Sequence, residues 1–300
     1  MKRPNSKIEN GSLVIDESEI DLDCPPVQIT WKYKPRNDLK PYQDLSKIYL
    51  DIETAGLEPS EVGCRIYMVG MYDTRTSQYT IISDDEERET IVKTIEYLVK
   101  NKPDVLVGHN HIRFDLPFIT KRARLYNIAV PWKIDNYSSR ITSASVFGKP
   151  IEYNRVTWYG TNIIDTYHQI GIWDRSAAKL EAYDLKSSVI ALKLRDDRRL
   201  ELNVHQIREC WVGGDTDTIA EYLKYDLDDT KMLADFLLPT VYYQLMYIPA
   251  MTFQEISVAN GLKFQKLFES LDCHNGEEIV FPHSDAENYV NFDVRDIYRG

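Results

Sequence analysis

The sequence predicts an α/β domain, a mixed β-sheet flanked by helices, with a short β-containing segment before it and a helical extension after it. Three observations carry that expectation. Lys47–Thr54 alternates so that Ile48, Leu50 and Ile52 share one strand face, while Tyr49, Asp51 and Glu53 share the other. Glu86–Lys100 repeats Ile91, Val92, Ile95, Leu98 and Val99 at helical spacing, with acids early and lysines late, as the helix dipole favours. Asp104–Gly108 is then a short apolar run suited to a buried strand.

The remaining elements follow in order. Residues 1–44 form an N-terminal segment, polar and broken by Pro25, Pro26, Pro35 and Pro41, in which Val27–Tyr33 alternates like a strand. The main domain spans 45–240. Its first strand is followed by strands over Arg65–Met71 and Gln78–Ile82, separated by the turn-forming Asp73–Ser77. Pro103 closes the helix at 86–100, and a second helix starts near Asp115. Thr142–Gly160, β-branched and aromatic around Phe147-Gly148-Lys149-Pro150, predicts a protruding hairpin. Asn162–Asp165 reads as a strand with Asp165 capping its end, and Asp215–Phe236 as a long helix. Residues 241–300 form the extension: an aromatic run, Val241-Tyr242-Tyr243, beyond Pro239, a helix over Phe253–Leu271, and a polar end.

Composition narrows the function classes. The formal net charge of −11 argues against coating nucleic acid by bulk electrostatics, yet leaves room for local binding where cations sit on clustered acids. Cys24, Cys64, Cys210 and Cys273 form no Cys-x-x-Cys set, so reduced thiols are expected and a zinc site is not. No apolar run reaches the ~18 residues of a membrane span, and no apolar stretch follows Met1–Asn5 to make a secretory leader.

The chemistry-bearing residues fall in three places. Asp51 and Glu53 point the same way from one strand, and hard divalent cations prefer such carboxylates. Asp115 follows a buried strand, a glycine and Asn110, where either a site residue or a helix cap is expected. Tyr222 and Asp226 are one helical turn apart and share a face, as Tyr225 and Asp229 do on another. Four converging carboxylates need cations to stay ionised together, which points to metal-dependent phosphate chemistry. Gly213-Gly214-Asp215-Thr216-Asp217-Thr218 looks like a polymerase-site motif, but it runs straight into the Tyr222 helix and reads as a cap.

Asp51-Ile52-Glu53-Thr54, Asn110-x-x-x-Phe114-Asp115 and Tyr222-x-x-x-Asp226 together resemble the three exonuclease motifs of the proofreading domain of family B DNA polymerases, the DEDD type with tyrosine in the third motif. Asp226-Leu227-Asp228-Asp229-Thr230 resembles that motif's continuation and favours Tyr222 over Tyr225. The resemblance implies a ribonuclease-H-like fold and a 3′–5′ exonuclease that hydrolyses single-stranded or frayed DNA ends to nucleoside monophosphates with two Mg²⁺ or Mn²⁺ ions. It implies that Asp51, Glu53, Asp115 and Asp226 hold the metals and that Tyr222 positions the attacking hydroxide. Thr54, Asn110 and Phe114 would shape the strand-end pocket. Lys186 would contact phosphate, although Asp184 stands where the family has lysine and Lys186 is displaced by two residues. The implied partners are a DNA 3′ end and a polymerase subunit or C-terminal polymerase domain, to which Tyr298-Arg299-Gly300 resembles the lead-in; no membrane is implied, and no polymerase activity in this chain. The implied setting is cytoplasmic or nucleoid-associated, in a prokaryotic or viral host cell. The alternatives are an RNA-directed or general DEDD nuclease and a non-catalytic docking module.

Overall fold

The computed structural model describes residues 38–135 and 155–258 with short interruptions at 178–179, 196–198 and 249. Also described are Arg36, 261–269 and short strands at 6–9, 12–15, 29–31, 144–146, 149–151 and 271–273. The chain divides into two compact units, Met1–Lys34 with Phe268–Val290, and a larger one holding Pro35–Leu267. In the smaller unit Ser6–Glu9 pairs antiparallel with Ser12–Ile15, and Ile29–Trp31 with Leu271–Cys273. The polar end from Phe281 and the Tyr298–Gly300 lead-in lie outside the described residues.

The larger unit is built on five strands: β1 (Lys47–Thr54), β2 (Ile66–Asp73), β3 (Gln78–Ile82), β4 (Val105–Gly108) and β5 (Asn162–Asp165). Their order is β5-β4-β1-β2-β3, with β5, β4 and β1 parallel and β1, β2 and β3 antiparallel. The expected mixed sheet is thus present. Alternation along β1 sends Ile48, Leu50 and Ile52 into one core. There they meet α1 (Glu87–Lys100) through Ile91 and Leu98, and α2 (Asp115–Leu125) through Leu116 and Ile119. Tyr49 enters the core on the opposite face, against Leu227, Leu233 and Leu237 of α6 (Thr216–Tyr243). Asp51 and Glu53 share Tyr49's parity, so they face α6.

Two backbone features bring α6 close. A β-bulge between Glu53 and Thr54 leaves Tyr67 and Met68 both on the α6 side, where they pack with Tyr222 and Leu223. Gly70, opposite Asp51, lies under Leu223; a Cβ there would sit 2.6 Å from Leu223 Cγ. Only glycine permits that approach.

Around this frame are α3 (Thr166–Ala177), α4 (Leu185–Ala191), α5 (Val204–Gly213), α7 (Phe253–Val258) and α8 (Gly261–Glu269). Two expectations need correction. The long helix does not stop near Phe236 but runs through Pro239 to Tyr243, because buried Leu237, Leu238 and Tyr242 anchor it across the missing proline N–H. The helix expected over Phe253–Leu271 is helical over Phe253–Val258 and Gly261–Glu269, with 259–260 outside the described residues, but it does not reach Leu271, which belongs to a strand paired with Ile29–Trp31. The strands of the hairpin expected over 142–160 are present, Ala144–Val146 against Lys149–Ile151, while Phe147 and Gly148 lie outside the described residues. Gly214 ends α5 in the left-handed conformation at φ 77°, and Asp215 caps α6 by accepting the Thr218 N–H at 3.2 Å. Among the described residues no helix is long and apolar enough to cross a membrane.

Candidate metal centre

The fold brings residues from β1 and the two helices α2 and α6 together. One carboxylate oxygen from each of Asp51, Glu53 and Asp226 lies within 4.8 Å of the others. Asp226 reaches this cluster because α6 crosses the face of β1 that Asp51 and Glu53 present, and the one-turn spacing places Tyr222 beside it. Asp115, the first residue of α2, turns back over β1, and its Oδ1 accepts the Ile52 N–H at 3.1 Å. Glu53 and Asp115 are buried, Asp226 is buried, and Asp51 is half-buried.

This crowding decides the protonation. Burial, then the charges of Asp115, Asp226 and Glu53, push the Asp51 carboxyl well above the usual range. Glu53 is raised likewise by burial, Asp226 and Asp115, with Lys186 and Arg199 partly countering. Burial lifts Asp115 to about 7, against the N–H donors that favour its charged form. Carboxylates held this close and driven toward protonation are the donor set of a hard divalent cation, whose charge would restore them to the ionised form. The residues therefore fit Mg²⁺ or Mn²⁺.

Tyr222 is a neutral phenol: burial, then Asp226, Glu53 and Asp51, raise it far above its ordinary value. Lys186 Nζ donates to its hydroxyl oxygen at 3.2 Å and lies 5.0 Å from its ring centroid. Asp184, where lysine was expected, is instead the N-cap of α4, accepting the Ser187 N–H at 3.0 Å. That cap sets the helix turn from which Lys186 reaches Tyr222.

The other expected pocket residues are placed as follows. Asn110 adopts a left-handed conformation at φ 62°, which asparagine tolerates, and turns the chain from β4 toward α2. Phe114 is half-buried against Phe118, with ring centroids 5.4 Å apart. Thr54 is buried and its hydroxyl donates to the Gly56 carbonyl at 2.7 Å, so it braces the strand end.

Two arginines escaped the sequence reading, and a residue read there only as a cap has a larger part. Asp165 does more than cap: its carboxylate accepts the N–H of Asn110 at 2.8 Å, Ile112 at 3.0 Å and Tyr167 at 2.9 Å, which ties the Asn110 turn to β5. Arg199 pairs with Asp226 through Nη2 and lies 3.0 Å from Asp229 through Nε, while Arg195 Nε donates to Asp229 at 2.6 Å. Asp229, the alternative to Asp226 in sequence, is thus engaged by two guanidinium groups. The clustering of Arg195, Arg198 and Arg199 before α5 was the available signal, though nothing local gave their partners.

Residues 48–237 match the family model of the RNase_H superfamily. A DNA polymerase of Archaeoglobus fulgidus is 25% identical over 222 residues, covering 73% of this chain and 26% of that protein. DNA polymerase 1 of Pyrococcus abyssi is also 25% identical, over 75% of this chain and 28% of the relative. The chain thus spans about a quarter of the length of these relatives. Among solved structures, the family B DNA polymerase from the hyperthermophilic archaeon Pyrobaculum calidifontis superposes with a TM-score of 0.59 at 18% identity, covering 75% of this chain and 29% of that one.

Proposed function

The chain belongs to the RNase_H superfamily, and on that premise we propose that it is a metal-dependent 3′–5′ exonuclease. Its substrate in this reading is the 3′ end of single-stranded or frayed DNA, released as nucleoside monophosphates. The setting is proofreading for a family B-like polymerase, inside the cell, with synthesis performed elsewhere. Residues 45–240 form the nuclease, 1–44 an N-terminal segment and 241–300 a connection toward the polymerase. The observation that carries the proposal is the convergence of Asp51, Glu53 and Asp226 within 4.8 Å on this sheet. The similarity to archaeal DNA polymerases supports DNA as the substrate.

Asp51, Glu53, Asp115 and Asp226 would hold two Mg²⁺ or Mn²⁺ ions. Bound there, the ions would lower the pKa of water and offset charge at phosphorus and the leaving 3′ oxygen. The chain's own groups supply orientation. Because Lys186 donates to the Tyr222 oxygen, the phenol proton is left to donate to incoming water or a phosphate oxygen. The Ile52 N–H fixes the Asp115 carboxylate. Asn110 and Phe114 border the strand end, and Thr54 acts by bracing it.

The test is degradation of 3′-labelled and 5′-labelled single-stranded DNA with Mg²⁺. Label should leave first from the 3′ end, and Asp51→Ala or Asp115→Ala should abolish activity. Full activity in both variants would overturn the assignment. Equal degradation of matched RNA would instead favour a general nuclease, since only a 2′-OH contact separates the sugars.

A further inference from the structure

Resting this on the nuclease reading above, we propose that Arg199 competes with a divalent cation for Asp226 and so sets the cation concentration at which the acid cluster fills. Asp226 belongs to two sets at once. It offers an oxygen to the cluster with Asp51 and Glu53, and its Oδ1 accepts from Arg199 Nη2. The Arg199 side chain is only 4% exposed, so this pairing is made away from water. A guanidinium and a metal ion drawn to one carboxylate repel each other, and the repulsion is strong where water does not screen it. Occupancy by either therefore disfavours the other. Arg199 also counters the burial of Glu53, as a cation bound among the acids would.

The pairing is built to be given up. Arg199 Nη1 and Asp229 Oδ2 are both buried without a hydrogen-bond partner among the described residues, although Arg199 Nε lies 3.0 Å from that same oxygen. An unmatched buried donor beside an unmatched buried acceptor is unfavourable. A turn of the guanidinium toward Asp229 would match the two and place the arginine fork on that carboxylate. Arg195 Nε already holds the other oxygen of Asp229 at 2.6 Å, so Asp229 serves as a fixed pivot. Arg199 thus has two arrangements: on Asp226, as seen here, and turned to Asp229 with Asp226 released to an ion. An ion that binds only the second arrangement has an apparent affinity reduced by the fraction of chains in the first.

Mn²⁺ calorimetry on the full chain tests this, with thermal unfolding in chelator to establish that each variant folds. Arg199→Gln should bind Mn²⁺ about 10-fold more tightly than wild type, because a competing charge-assisted contact is gone. An arginine that merely positions Asp226 predicts the opposite sign. Asp229→Asn removes the pivot; it should weaken Mn²⁺ binding beside Arg199 and have little effect beside Arg199→Gln. Arg199→Lys, which keeps a charge without the fork, should bind Mn²⁺ with an affinity between wild type and Arg199→Gln. Mn²⁺ affinity unchanged or weakened in Arg199→Gln overturns the proposal; if that variant does not fold, the same result in Arg199→Lys does so. Equal weakening by Asp229→Asn in both backgrounds overturns it too. Wild-type protein that binds no Mn²⁺ overturns the nuclease reading itself, and the competition with it.

Discussion

Replacing Asp115 with Asn should stabilise the metal-free protein at neutral pH and remove its response to metal. In the folded chain burial lifts the Asp115 carboxyl to about 7, whereas an unfolded chain holds aspartate near 3.9. The folded state therefore binds the extra proton between those values, so stability falls as pH rises from about 4 to about 7 and stays low above. Three units correspond to about 4 kcal/mol, at about 1.4 kcal/mol each. Relaxation and water entry reduce the realised penalty to about 2 kcal/mol. Asn keeps an oxygen to accept the Ile52 N–H and has nothing to ionise. Thermal unfolding in chelator should show wild-type Tm declining from pH 5 to pH 8, with the variant declining less and lying about 4–8 °C above wild type at pH 8. Adding Mn²⁺ should raise the wild-type Tm at pH 8 and leave the variant nearly unmoved. A variant no more stable than wild type at pH 8, or equal rescue of both by Mn²⁺, would refute the reasoning.

Other perturbations read different parts of the site. Tyr222→Phe should slow DNA hydrolysis about 10- to 100-fold in single-turnover kinetics, with Mn²⁺ affinity by calorimetry retained, because the phenol orients and the carboxylates bind. Gly70→Ala should cost about 1–3 kcal/mol in urea unfolding and weaken Mn²⁺ binding, since the new Cβ forces Leu223, and with it Asp226, away from β1. Asp165→Ala strips the acceptor from three N–H groups and should destabilise the fold by about 3 kcal/mol in the same assay.

Several features were legible without coordinates because they depend on neighbours in sequence. Strand alternation puts Asp51 and Glu53 on one side of β1, and a helical turn puts Tyr222 beside Asp226. The punctuation by Gly214 and Asp215 located the start of α6. Local rules failed where packing outvoted them: the helix read as Asp215–Phe236 continues through Pro239, because the buried residues around it hold the helix.

What the sequence by itself determined was the face on which each acid lies and the class of chemistry the acids could perform together. Only the tertiary structure decided that those faces meet, through the β5-β4-β1-β2-β3 order and the close approach of α6 over Gly70. It also decided the roles of Asp165 and Arg199, whose partners lie 55 and 27 residues away. Periodicity reports which way a side chain points from its own element. It carries no information about what another element, folded against it, will bring within hydrogen-bonding distance.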